Sequence, residues 1–234
     1  MSGHNKWSQI KRQKGTADAK RSNVFTKLAN AVTIASKNGK GLDIAVEQAK
    51  KANMPKDRID KAIARGKGEL EGAQVEEVIY EAYGPNGVAI IVRALTDNKN
   101  RTISELRSVL NKSDSTLANS GAVSYLFENK GIIEVNKKLV PMSKEDAEMV
   151  IIDSGADDFS EDEEIIYVYT KPKKLEETKK FLEFKAIPVS EARNVLNPKT
   201  YTEVPAEVKE KIINLLSAIE NLDDIYEVFT NADL

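Results

Sequence analysis

The spacing of apolar residues divides the chain into a helical beginning and a mixed remainder. Three stretches among the first 70 positions have apolar residues at helical spacing, namely 18–37, 42–52 and 55–65. Asn38-Gly39 and Gly66 are typical helix stops, and Pro55 suits the first position of a helix. The sequence therefore predicts an N-terminal bundle of three helices.

Beyond the bundle, strands alternate with helices. Two strand-like runs, 75–83 and 88–96, flank Gly84–Gly87, in which Asn86-Gly87 is a strong hairpin signal. Further strands are predicted at 123–128, 132–135, 156–159, 165–170, 188–195 and 225–230. Helices are predicted at 102–110, 144–153, 175–184 and 206–219.

The order of these elements predicts an α+β multidomain protein. Between 132 and 203 the order is βαββαβ, which is that of a ferredoxin-like domain. The flanking α/β region lacks a closing helix and strand until the chain returns to them after 203. We therefore expect a basic tail and helical bundle at 1–72, a middle α/β domain made of 73–131 plus 204–234, and an inserted ferredoxin-like domain at 132–203.

Charge is distributed unevenly between these parts. Residues 1–70 hold 16 Lys plus Arg and 6 Asp plus Glu, a net charge of +10, while residues 71–234 hold 19 against 31, a net charge of −12. The difference is hidden in the formal charge of −2. Such asymmetry indicates a basic module for nucleic acid on an acidic body. The alternative is a basic face that is merely solvated.

Composition excludes several classes of site. The chain has no cysteine, which excludes disulfides, Cys-ligated zinc, iron–sulfur clusters and thiol nucleophiles. Its one histidine, His4, argues against a His-rich metal site and against a Ser-His-Asp triad. No P-loop occurs, the acidic run at 157–164 lacks EF-hand order, and no apolar stretch is long enough to span a bilayer. We expect a cytosolic, non-enzymatic protein with no metal and no other cofactor.

The basic tail combines cations with the only tryptophan of the chain. Lys6, Lys11, Arg12 and Lys14 surround Trp7, and no acid precedes Asp18. Cations neutralise phosphates, and an indole can stack on an unpaired base. In the alternative interpretation, Trp7 packs the tail onto the bundle.

The predicted helices carry further cations at helical spacing, where they could follow a phosphate backbone. On the first helix these are Lys20, Arg21 and Lys27, and on the third they are Arg58, Lys61 and Arg65. A solvated face would have the same pattern.

A second candidate patch lies where a predicted strand meets a predicted helix. It consists of Asn98, Lys99, Asn100 and Arg101, beside a helix N-terminus that favours phosphate or carboxylate. In the alternative, Asn100 caps the helix and Asp97 or Asn98 shapes the turn. A third hypothesis makes Asp97 and Arg101 part of an enzyme site for a phosphorylated substrate.

Spaced blocks of sequence closely resemble the YebC/PmpR family, which also contains the mitochondrial translational activator of cytochrome oxidase. The blocks include Gly3–Trp7, Lys20-Arg21, Phe25–Leu28, Asn53–Pro55, Tyr80-Glu81, Tyr83–Pro85, Thr96–Asn98, Asn100–Thr102, Lys130-Gly131 and Leu222–Asp224. The resemblance implies a three-domain fold and a nucleic-acid role for Lys6, Trp7, Lys11, Lys14, Lys20, Arg21 and Lys27, with Asn98, Asn100 and Arg101 as a second patch.

Two regulatory functions remain open. Family members are commonly described as DNA-binding regulators of transcription, and others act on the ribosome, relieving stalls at proline-rich stretches. The residues themselves favour RNA, because no helix-turn-helix with a reading helix is identifiable and a flexible tail with Trp7 suits irregular RNA. The expected partner is DNA or ribosomal RNA, with the ribosome as a candidate, no membrane, and a monomeric chain.

Overall fold

The structure, a computed structural model, describes residues 21–70 and 74–234, apart from the side chains of Arg21 and Ser22. Within these residues there are seven α-helices and ten β-strands, so the chain is α+β as predicted. The chain divides into two compact units. One is 127–197, and the other joins the described residues before 127 to 198–234. The predicted division into three domains is finer than this and stays a prediction.

The three predicted N-terminal helices are present as α1 (Arg21–Asn38), α2 (Leu42–Lys51) and α3 (Lys56–Gly66). Helix α1 contacts both of the others. Their shared core contains Val32, Ala45, Ala49, Met54, Ile59 and Ala62. The sequence predicts Pro55 as the first residue of the third helix. In the structure Pro55 is the N-cap, and α3 begins one residue later, at Lys56.

Helix α3 ends in close contact with α1 because Gly66 has no side chain. A Cβ at this position would lie 2.4 Å from the carbonyl oxygen of Thr33 and 2.6 Å from Cβ of Ser36. The Ser36 hydroxyl donates to the carbonyl of Ile63 at 2.9 Å, and the Thr33 hydroxyl to that of Ala62 at 3.2 Å. These bonds fix the spacing of the two helices on which the basic residues lie.

The larger unit is built on a four-stranded antiparallel sheet. Strands β1 (Glu76–Tyr83) and β2 (Ala89–Thr96) form the predicted hairpin, and Asn86 and Gly87 have the positive φ angles that its turn needs. The other strands are β3 (Thr116–Ala118) and, near the end of the chain, Ile225–Thr230, which is β9. The sheet order is β3-β1-β2-β9.

Helices cover both faces of this sheet. On one face, helix α4 (Lys99–Asn111) and helix α7 (Ala206–Glu220) bury Leu106 and Leu216 against β2. On the other face, Ala31 and Ile34 of α1 pack with Leu95. The helical bundle is therefore attached to the sheet through its first helix.

The unit at 127–197 has its own four-stranded sheet. In chain order it contains β4 (Phe127–Asn136), α5 (Lys144–Asp153), β5 (Asp158–Glu161), β6 (Ile165–Thr170), α6 (Leu175–Phe184) and β7 (Val189–Pro198). The sheet order is β5-β6-β4-β7, and β6 runs antiparallel to both of its neighbours. The remaining two of the ten described strands, β8 (Thr202–Glu203) and β10 (Ala232–Asp233), pair in parallel.

The predicted strand at 123–128 is wrong in its first half. Residues Ser124–Leu126 form a 3₁₀ turn, and one continuous strand, β4, runs from Phe127 through the predicted boundary at 131/132. Gly131 lies inside β4, opposite Thr170 of β6. A Cβ on Gly131 would lie 2.8 Å from Cγ2 of Thr170, so this glycine permits close packing instead of a turn.

The turn before β4 is held by a buried carboxylate. Glu81 is 4% exposed, and its oxygens accept backbone N–H groups from Gly121 at 2.7 Å, Val123 at 2.6 Å and Ser124 at 3.0 Å. Burial raises the pKa of Glu81, but the backbone donors outweigh it, so the net pKa lies below the ordinary value of 4.5. The ionised side chain therefore stabilises the fold.

Replacing Glu81 with Ala should lower the free energy of unfolding by about 3 kcal/mol at neutral pH, because three backbone N–H groups, all buried or partly buried, lose their acceptor. The folded-state pKa is depressed, so the stabilisation is present above the unfolded-state pKa and is lost as pH falls through the folded-state pKa. Urea unfolding of wild type and Glu81→Ala at several pH values measures both effects.

The matched control is Glu77→Ala, on the same strand but exposed and paired with Arg93 at 3.1 Å. It should cost no more than about 1 kcal/mol. A difference between wild type and Glu81→Ala that stays constant down to pH 3 would contradict the role given to the ionised carboxylate.

Candidate nucleic-acid interface

Part of the predicted interface lies outside the described residues. Lys6, Trp7, Lys11, Arg12, Lys14 and Lys20 belong to this part, and the side chain of Arg21 is not described. Their predicted contacts with nucleic acid stay predictions. The described residues of the interface are on α1, on α3 and at the start of α4.

Three cations form one exposed row on α3. Arg58, Lys61 and Arg65 are all exposed, and helical geometry places them within an arc of about 60°. The guanidinium of Arg58 lies 5.8 Å from the centre of the Phe25 ring of α1. Within residues 21–70 and 74–234, none of the three forms an ion pair or a hydrogen bond through its side chain. We call these three residues the α3 row.

Lys27 has a different environment from the α3 row. Its ammonium donates to the carbonyl of Glu220, the last residue of α7, where the helix dipole favours a cation. Phe25, which contacts Arg58, is about 200° from Lys27 around α1. The structure therefore separates Lys27 from the α3 row and gives it a contact that joins α1 to α7.

In the second candidate patch, Asn98, Lys99 and Arg101 already bind other groups of the protein. Lys99 pairs with Glu76 at 2.6 Å, and this hydrogen bond lowers the pKa of Glu76 and raises that of Lys99. Asn98, not Asn100, is the N-cap of α4, since its side chain accepts the backbone N–H of Arg101 at 3.1 Å. These contacts compete with any phosphate at this helix end.

Arg101 is engaged by two carboxylates. Its Nη2 lies 2.8 Å from Oδ1 of Asp224 and 3.0 Å from Oδ1 of Asp97. Asp224 is 7% exposed and also accepts the hydroxyl hydrogens of Thr102 at 2.7 Å and Thr96 at 3.0 Å. One buried carboxylate thus ties the end of β2, the start of α4 and the loop before β9 together.

Sequence reasoning missed Asp224. The signal was present in Leu222-Asp223-Asp224, which matches a family block, and in the unbroken run of polar residues Thr96–Thr102. Nothing in the spacing of two segments more than 120 positions apart indicates that they meet, as the Thr102–Asp224 bond shows. The resemblance marked the residues but not their contact.

The described bundle has an excess of positive charge. Residues 21–70 contain 11 Lys plus Arg and 5 Asp plus Glu. Lys51 is paired with Glu47 at 3.0 Å, whereas the α3 row has no acidic partner in the described chain. In the same described ranges, no cluster of three potential metal ligands occurs. The excess of positive charge can therefore attract phosphate.

The chain matches two family descriptions that together span almost all of it. "TACO1/YebC protein N-terminal domain" matches residues 5–69, and "TACO1/YebC second and third domain" matches residues 75–232. The break between the two matches falls between the bundle and β1.

Curated relatives and a solved structure agree with these matches. A probable transcriptional regulatory protein of Thermotoga maritima is 46% identical over 100% of this chain and 94% of its own length. One of Persephonella marina, with the same description, is 45% identical over 100% of this chain and 96% of its own. A conserved hypothetical protein of Aquifex aeolicus, known from a crystal structure, is 44% identical with a TM-score of 0.84, over 92% of this chain and 91% of its own.

Replacing Asp224 with Asn should lower the free energy of unfolding by about 2–3 kcal/mol, because the buried hydroxyls and Arg101 lose a charged acceptor. Asp223→Asn is the matched control: Asp223 is exposed, and the amide oxygen of Asn can still accept the hydrogen bond from Asn23, so this change should cost less than about 1 kcal/mol. Urea unfolding compares the two variants, and equal losses would show that the buried network does not have the role assigned to it.

Proposed function

Because this chain belongs to the TACO1/YebC family, we propose that it is a non-enzymatic regulatory protein that binds nucleic acid through its N-terminal bundle. At the level of the family, a regulatory role is supported by relatives named probable transcriptional regulatory proteins. The direct contact with nucleic acid is our inference from the distribution of charge.

The observation that carries the proposal is the difference between the α3 row and the other predicted cations. Lys27, Lys99 and Arg101 are each bound by acceptors inside the protein. Arg58, Lys61 and Arg65 are exposed and have no such partner among the described residues. A cation without an internal partner can neutralise a phosphate and release counterions at no loss of an ion pair.

The first candidate function is regulation of transcription on duplex DNA. The names of the relatives favour it. In addition, Arg58 and Arg65 project from one side of an exposed helix, and Arg is the side chain that most often reads guanine in the major groove.

The second candidate function is binding to ribosomal RNA, with relief of stalls at proline-rich stretches. It is favoured by the predicted Lys-rich tail with Trp7, which suits unstacked bases, and by a groove in the bundle that is described below. RNA would repel residues 71–234, which carry a net charge of −12. This repulsion would turn the basic bundle toward the RNA.

We do not propose an enzyme acting on a phosphorylated substrate through Asp97 and Arg101. Both side chains are used in the network of Asp224, and Arg101 also supports the start of α4. This arrangement accounts for the two residues without catalysis.

We also infer the three-domain arrangement that the sequence predicts. The bundle would be the nucleic-acid module, the sheet of β3-β1-β2-β9 with α4 and α7 the middle domain, and the unit at 127–197 the ferredoxin-like insertion. We expect a cytoplasmic monomer. None of the helices within 21–70 and 74–234 combines the length and the hydropathy required to cross a membrane.

Removing the α3 row should weaken nucleic-acid binding and flatten its salt dependence. For Arg58→Gln/Lys61→Gln/Arg65→Gln, the slope of log K against log salt should fall by about 2–3 units if each cation contacts one phosphate. Fluorescence anisotropy between about 50 and 200 mM salt, with labelled duplex DNA and single-stranded RNA of equal length, measures this change.

The matched control is Lys173→Gln/Lys174→Gln/Lys211→Gln, which removes the same charge from exposed positions outside the bundle. It should leave the affinity and the slope nearly unchanged. Equal effects of the two triple variants would mean that only net charge matters, and no effect of either would refute the proposed interface. Stronger binding to one of the two nucleic acids distinguishes the two candidate functions.

A further inference from the structure

A groove separates α2 from α3 on the side of the bundle away from the α3 row. Its volume is about 370 Å³. Pockets that bind small molecules have volumes from about 300 Å³ upward. Val46 of α2 and Met54, Ile59 and Ile63 of the turn and α3 form its apolar lining. The α3 residues of the groove are about 180° from the α3 row around the helix.

The apolar lining is part of the folded core and is therefore preformed. Ile59 is 3% exposed and Met54 is 5% exposed, and both pack against α1. Met54 is positioned by its backbone N–H, which donates to the carbonyl of Ala49 at 3.0 Å, after Asn53 in a left-handed conformation with φ of 59°. A ligand would find this surface in place and would not have to order it.

Charged side chains line the same groove. Lys50 and Lys56 lie on its two walls, and Asp60 is next to the apolar lining. All three are exposed, and within residues 21–70 and 74–234 none of them forms an ion pair. The groove thus offers two unpaired cations, one unpaired carboxylate and an apolar surface.

We propose that this groove binds one unpaired nucleotide, with the base between α2 and α3 and the phosphates against Lys50 and Lys56. The proposal rests on the proposed function, since it names the form of nucleic acid that the bundle would take. Each feature matches one part of a nucleotide. The apolar lining receives the base plane, the lysines receive phosphate, and the Asp60 carboxylate accepts N–H groups such as the N4 amine of cytosine.

Charge argues against the other occupants. The chain's own residues 1–20 carry five cations and one acid, so Lys50 and Lys56 would repel them. An acidic peptide could reach the two lysines, but its carboxylate side chains have no hydrogen-bond donor to offer Asp60. A nucleotide gives each of the three charged groups a complementary partner.

A direct test uses the methionine methyl groups of the whole chain. The chain has four methionines, of which Met54 lines the groove and Met149, which is 64% exposed, lies elsewhere. With ¹³C-methyl-labelled Met, a cytidine oligonucleotide of about 12 residues should shift the Met54 resonance and leave that of Met149 in place. An abasic oligomer of the same length should move neither.

Affinity measurements extend the test. The cytidine oligonucleotide should bind roughly tenfold more tightly than the abasic oligomer. Lys50→Gln/Lys56→Gln should weaken binding of the cytidine oligonucleotide more than the control Lys37→Gln/Lys40→Gln. The control removes two exposed lysines, one in the last turn of α1 and one just after that helix. Asp60→Asn should reduce the preference for cytidine over uridine oligonucleotides.

Several results would overturn the proposal. If the oligonucleotide binds with a steep salt dependence but the Met54 resonance does not move, the groove is not the site, while the function proposed for the α3 row stands. If neither the oligonucleotide nor duplex DNA binds, the proposed function itself fails. If the Met54 resonance moves with a leucine-containing Glu-rich peptide and not with the oligonucleotide, the groove binds protein and not nucleic acid.

Discussion

The carboxylate of Asp224 is the contact on which the arrangement of the larger unit depends. It accepts hydrogen bonds from the end of β2 and from the start of α4, and it lies in the loop between α7 and β9. The same loop holds the bundle, because Asn23 of α1 donates to Asp223 at 2.8 Å and Lys27 donates to the carbonyl of Glu220. A short segment, 220–224, therefore connects the sheet, two helices and the N-terminal bundle.

This arrangement divides the basic residues by what they do. Cations near Asp224 hold the structure together, as the pairs of Arg101 and Lys99 show. Cations on the far elements of the bundle, on α3 and along the groove, have no internal acceptor in the described chain. Unpaired surface cations contribute little to stability, so their concentration on one small module agrees with the anionic partner that we propose.

Sequence reasoning predicted local structure well and contacts between distant segments poorly. The helix at Lys144–Asp153 and the strand at Ile165–Thr170 begin and end where the apolar pattern predicts. Glycine is found both in turns and at positions of close packing, and at Gly131 only the neighbouring Thr170 decides between the two. Likewise, the exposed cations of α3 and the paired cation Arg101 have equivalent sequence signals, and the difference arises from Asp224, which lies 123 positions from Arg101.

The central claim is that the bundle contacts nucleic acid in the cell. Ultraviolet crosslinking of the tagged full chain, followed by sequencing of the attached nucleic acid and mapping of the crosslinked peptides, tests it most directly. The account predicts crosslinked peptides that include residues 56–66, attached to one compact region of ribosomal RNA or to defined stretches of DNA. Crosslinks confined to residues 74–234, or no nucleic acid above an untagged control, would contradict it.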